Sequence, residues 1–134
     1  MADFQSDLAD TGARLGTALL VYMLGVTVIV TLLPFHFTWP DHWRVSVWSD
    51  PYDVVVNVLL FVPIGFLFRL ARPPERQGSI LVVVSNAALI SIAIEATQLF
   101  DLTRQSAVLD VIANTFGAWV GVLAFDRIAR SARR

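Results

Sequence analysis

Cysteine is absent from the 134 residues. That excludes a disulfide framework, a thiolate metal site and a cysteine nucleophile. Lysine is absent too, so all ten basic residues are arginine. The first residues, MADFQSDLAD, are acidic and polar. They lack the basic n-region and early apolar core of a signal peptide, so no secretory leader is expected. Charge is sparse overall: 16% of residues are ionisable, 56% are hydrophobic, and the formal net charge is −1. With a mean hydropathy of +0.65, these values point to an integral membrane protein rather than a soluble domain. The length predicts one domain, residues 1–134.

Four apolar segments are present, roughly 13–33, 51–70, 80–100 and 108–125. Each approaches the ~20 residues that cross a bilayer core. In hydrocarbon every backbone polar group needs an internal partner, so the expectation is an all-α membrane protein of four transmembrane helices, packed as two helix hairpins. Soluble core helices would require amphipathic chain to cover them, and little is left over. With four spans, both termini and the second connection share one side. That side carries Arg14, Arg69, Arg72, Arg76, Arg127, Arg130, Arg133 and Arg134, and the other side only Arg44 and Arg104. The positive-inside rule therefore predicts cytoplasmic termini.

The first outward loop, FHFTWPDHWRVSVWSDPY, is rich in Trp, Tyr and Phe. Such rings favour the headgroup region, which predicts a loop lying on the outer interface as an aromatic belt or a ligand platform. His36 and His42 fall in it, six residues apart. They share no helical face and are not expected to form a metal site.

Polar residues punctuate three of the spans in pairs. Asp53 and Asn57 stand at i,i+4 in span two, Glu95 and Gln98 at i,i+3 in span three, and Asp110 and Asn114 at i,i+4 in span four. Each pair shares a helical face and lies within about 10 Å of the outward end of its helix. The pairs therefore converge at one depth, with Arg104 in the turn above them. Buried carboxylates cost ~3 kcal/mol each at mid-helix, so they must face the bundle interior, pair or protonate.

Plainer roles stand beside this reading. Asp53 fits a first-turn acid behind an Asp50 cap and Pro51 at the first helical position. Asp110 has a similar explanation. Asn57 and Asn114 fit interhelical glue. Glu95 lies at the wrong end of its own helix for the dipole; its plain alternative is an ion pair with Arg104. Gly117 and Gly121 form a small-xxx-small pattern that marks close packing, and Pro63 invites a kink in span two. DVVVN and DVIAN, opening spans two and four, form a faint repeat that would bring the two D-x-x-x-N faces together.

The ordered set DVVVNVLLFVPIGF, SIAIEATQLF, the Arg104 turn and LDVIANTFGAWVG resembles the VanZ-like family of small bacterial membrane proteins, over roughly residues 18–125. The family's N-x-x-x-F-x-P-x-G block falls on Asn57, Phe61, Pro63 and Gly65. Its E-x-x-Q block falls on Glu95 and Gln98, and its D-x-x-x-N-x-x-G block on Asp110, Asn114 and Gly117. Where the family often carries an acid in the turn, this chain has Ala107. The resemblance implies an envelope protein of the bacterial cytoplasmic membrane, and the family's name-giving member confers low-level resistance to teicoplanin, a lipoglycopeptide.

Three functions compete. The first is binding or shielding of a lipid-linked or lipid-tailed ligand at the outer leaflet by Asp53, Asn57, Glu95, Gln98, Arg104, Asp110 and Asn114, since an apolar wall with a few convergent polar groups suits a ligand site. The partners would be membrane lipids, a lipid-linked envelope precursor or a lipoglycopeptide, with a homo-oligomer open. No nucleic acid, metal or cofactor is expected. The second is an intramembrane enzyme with Glu95, Asp110 and Asp53 as catalytic candidates for general acid and base. An all-oxygen cluster of that kind would suit Mg²⁺, Mn²⁺ or Ca²⁺ better than zinc. The third is a transporter element, for which the inner halves of the spans offer no polar path.

Overall fold

The computed structural model describes residues 2–72, 78–101 and 103–132. Arg76, Arg133 and Arg134 of the charge-asymmetry argument lie outside the described residues. The chain forms α1 (Ala2–Leu32), β1 (Val45–Ser46), α2 (Pro51–Leu70), α3 (Ile80–Gln98), β2 (Ser106–Ala107) and α4 (Val108–Ser131). All four helices contain a stretch long and apolar enough to cross a membrane, as expected. Three ends differ from the hydropathy reading. The first helix begins at Ala2 rather than near residue 13, the third stops at Gln98, and the fourth runs on to Ser131. Hydropathy marks the greasy stretch, whereas backbone hydrogen bonding carries a helix beyond it.

The starts of α2 and α3 are written locally. The Asp50 carboxylate accepts from the Tyr52 N–H at 2.8 Å, with Pro51 at the first helical position. Ser79 caps α3 by accepting from Leu81 N–H. Threonines within the spans satisfy their hydroxyls by donating to the carbonyl one turn back, as Thr31 does to Thr27 and Thr97 to Ala93. α2 remains helical through Pro63.

Packing centres on α2 against α4. Gly117 lies against the Val58 carbonyl, Gly121 against the Val62 carbonyl and Phe66 N–H, and Gly65 against Ala118. At each a Cβ would collide with backbone. Rising numbers on one helix meet rising numbers on the other, so the two run parallel with their backbones in contact, as small residues permit in membranes. Phe61, Ile64, Ala87, Ile94 and Ala118 form the buried core, and Leu20, Met23 and Leu24 of α1 pack onto it. The outer faces carry exposed Leu59, Leu89, Ile112 and Phe116, the exterior that lipid would cover.

The two ends of the bundle differ in kind. At one, α1 meets the end of α2, where Gly16 lies against Ala71. Nearby, the buried Arg69 guanidinium donates to the Gly78 carbonyl at 2.9 Å and pairs with Asp126 at 3.3 Å. At the other end the long first loop is stitched to the turn after α3. Val45–Ser46 pairs in parallel with Ser106–Ala107, Phe37 bridges Asp101, and Thr38 N–H donates to the Phe100 carbonyl.

The glycine contacts predict opposite outcomes for one substitution at two sites. Gly121→Ala should lower the melting temperature in detergent, at the upper end of the ~1–3 kcal/mol typical of overpacking. Gly25, whose Cβ would meet nothing, should tolerate alanine and gain up to ~1 kcal/mol of helix propensity.

Candidate functional site

A cavity of about 500 Å³ opens at the loop-stitched end of the bundle. α2 contributes Asp53 and Asn57 to its wall, α3 contributes Glu95 and Gln98, α4 contributes Asp110 and Asn114, and the turn contributes Arg104. All seven residues singled out in the sequence thus line one space. Val30 and Thr31 of α1 close a further side, and Trp48 and Tyr52 stand at the rim, 77% and 74% exposed. The parallel contact of α2 and α4 brings the two D-x-x-x-N faces together. The side chains of Ser49 and Asn57 lie against the Asp110 carboxylate, and Asp53 is near enough to repel it.

Several of these side chains also finish helix ends. Pro34 has no N–H to donate back into α1, and Phe35 N–H bonds the Leu32 carbonyl instead. The Thr31 and Leu33 carbonyls are among those left for other donors. Gln98 donates its side-chain amide to the Thr31 carbonyl at 2.8 Å. Arg104 donates from Nε and Nη2 to the Leu33 carbonyl at 3.3 and 3.0 Å. A cation here also complements the negative end of the α1 dipole.

Glu95 performs the opposite service. Ala107 occupies the N-cap position of α4 and has no side-chain oxygen to cap with. Its N–H donates to Glu95 Oε2 at 2.8 Å, while the Leu109 N–H donates to the Val47 carbonyl. Glu95 lies at the wrong end of its own helix but beside the positive end of α4. The plain alternative, an ion pair with Arg104, is not formed; among the described residues the ion pair is Arg69–Asp126.

The floor is buried. Asp110 is 7% exposed and Asn114 is 1% exposed. Asn114 donates its amide to the Ser91 hydroxyl at 2.8 Å. Asn114 Oδ1 and Asp110 Oδ1 accept no hydrogen bond. Among the described residues, no three of His, Cys, Asp and Glu stand close enough to hold a metal ion.

The aromatic loop folds over the turn beside the cavity. Trp39 and Trp43 pack on Phe100 with centroids 5.7 and 5.5 Å away. The histidines part company: His42 accepts from Arg44 Nε, and His36 lies by Asp101. Asp101 is 3% exposed and accepts from both the Thr103 hydroxyl and its N–H. These bonds, the hydroxyl first, hold its carboxyl below the usual carboxylate range, with a smaller contribution from His36 and against the cost of burial.

Residues 11–129 match the model of the VanZ/LLP1 family. The chain belongs to the VanZ-like family. No curated protein and no solved structure matches it. In this VanZ-like chain the family blocks divide by task. Phe61, Gly65 and Gly117 pack the core and the α2–α4 contact, while Asn57, Glu95, Gln98, Asp110 and Asn114 face the cavity. Sequence reasoning missed Thr31, Ser49 and Val47. Ser49 carries no periodic signal, and Thr31 and Val47 act through their backbone carbonyls, which any residue would supply. Ser91 stands one turn before Glu95 on the same face.

Gln98→Leu should strand the Thr31 carbonyl and destabilise by about 1–3 kcal/mol. Glu95→Gln keeps an acceptor for Ala107 and should cost less than Glu95→Ala, for which a lost cap predicts about 0.5–2 kcal/mol. Thermal unfolding in detergent checks both. Asp101 supplies a pH test. Its depressed carboxyl adds stability above the unfolded value of about 3.9, and that stability is lost as pH falls through the folded value. Asp101→Asn should therefore flatten the acid side of the melting profile below about pH 5.

Proposed function

We propose that this VanZ-like protein is an envelope membrane protein whose cavity holds the polar head of a lipid-linked or lipid-tailed ligand at the outer leaflet. One observation carries the reading: polar residues from three helices and a turn line a single cavity of about 500 Å³ beside an exposed aromatic rim. That volume lies within the usual range for small-molecule sites. Exposed Trp48 and Tyr52 suit the headgroup zone, with apolar bodies toward lipid and polar edges toward water. The arginine asymmetry supports cytoplasmic termini, and with them a cavity facing out of the cell. In this setting the family link to teicoplanin reads as engagement of a lipid-tailed glycopeptide or of the precursor it targets.

A second reading draws on Asp53, Glu95 and Asp110 lining the same space. They are the acids that an intramembrane enzyme acting on a lipid-linked substrate would use for proton transfer. The occupation of Glu95 Oε2 by the Ala107 N–H favours binding over turnover.

The test is susceptibility of a sensitive host expressing wild type, Glu95→Gln or Asn57→Ala at matched membrane levels. Wild type alone should raise tolerance, to teicoplanin and not to vancomycin. If no form protects, the resistance reading is lost, and lipid copurifying with the wild type then decides whether the cavity has a ligand. Loss of function in Glu95→Gln with ligand affinity unchanged would favour the enzyme.

A further inference from the structure

The cavity floor contains two acceptors with nothing to accept. Asp110 Oδ1 and Asn114 Oδ1 are buried and unpartnered, and both residues line the cavity. Ser49 and Asn57 reach the Asp110 carboxylate and Asn114 gives its amide to Ser91, yet both Oδ1 atoms are left over on adjacent turns, where buried polar atoms are nearly always satisfied. They stand at i,i+4, about 6 Å apart in rise. For one donor atom at ~2.9 Å from each to bridge them, the two oxygens must lean together to within about 5.8 Å. Both atoms are closed off from the cavity as they stand, and the broad terminal torsion of a carboxylate lets the Asp110 group turn its oxygen toward that space.

The charge says which donor. Asp50, Asp53, Glu95 and Asp110 line the space against Arg104 alone, and that guanidinium bonds the Leu33 carbonyl. An acid-rich, low-dielectric pocket favours a cation, which holds those acids ionised, over a neutral hydroxyl. Metal-like convergence of three ligating side chains is missing among the described residues, and the acids are spread around the wall. A compact organic cation with several N–H donors fits both facts; a quaternary ammonium, which has no N–H, does not.

We infer that the cavity selects a ligand bearing a primary ammonium group, seated between Asp110 and Asn114 with Asn57 and Asp53 beside it. This rests on the reading of the cavity as the seat of a lipid-tailed ligand's head, and it gives that head its chemistry. The amine belongs either to an aminophospholipid or to another lipid-tailed molecule carrying one.

Native mass spectrometry of the purified full chain with dioleoyl phosphatidylethanolamine, phosphatidylcholine and phosphatidylglycerol tests it. Phosphatidylethanolamine should bind about tenfold more tightly than phosphatidylcholine, and the near-isosteric Asp110→Asn should abolish most of that preference without lowering the melting temperature. Free ethanolamine, and not choline, should compete on the wild type, which gives a readout independent of any variant. Competition by ethanolamine without phosphatidylethanolamine selectivity would retain the amine and assign it to a different tail. Equal retention of the three lipids with no competition by ethanolamine overturns the inference and leaves the lipid reading standing. Absence of any bound lipid or amine overturns both, and selectivity that survives in Asp110→Asn overturns the assignment to this floor.

Discussion

The backbones of α2 and α4 touch, and the rest of the molecule is arranged around that contact. In a bilayer, lipid tails are as apolar as leucine, so helices associate through close packing rather than through a hydrophobic drive. Gly65, Gly117 and Gly121 supply the closeness. Because the two helices run parallel, their first turns arrive at the same level, and the acid and amide of each are delivered to one place. α3 then packs on α4, and α1 closes the side left open.

The polar residues at that place serve two masters. Glu95, Gln98 and Arg104 complete the ends of α4 and α1, a service that membrane helices need wherever local capping is missing. Asp110 and Asn114 have no such employment for their free oxygens. Loss of function on changing Glu95 is therefore ambiguous unless folding is measured beside it, whereas a change at Asp110 speaks more directly about what the cavity holds. Family blocks that look uniform as a string of polar letters thus separate into framework and floor.

Much of this is legible in the sequence. Four spans followed from hydropathy, the convergence of three polar pairs followed from helical periodicity, and the D-x-x-x-N repeat anticipated the parallel pairing of α2 and α4. What stayed hidden depends on juxtaposition. No local pattern announces that Glu95 caps a helix whose N-cap lies twelve residues later, since Ala107 carries no capping side chain to advertise the need. The two-residue strands are too short to show alternation. The extension of α4 to Ser131 crosses into charged sequence, where hydropathy falls while the helix continues.

The turn from Asp101 to Ala107 is joined to nearly everything around it: to the loop through Phe37 and Val45, to α1 through Arg104, and to α3 through Glu95. Lengths in this region are thereby constrained unequally over evolutionary change. Between the anchors at Thr38 and Val45 the first loop can gain or lose residues while both anchors hold. A single insertion between Asp101 and Ala107 would slip several registers at once. Descendants of this chain are free to vary the first loop between Thr38 and Val45, and with it the outline of what approaches beside the cavity, while inheriting the turn at constant length.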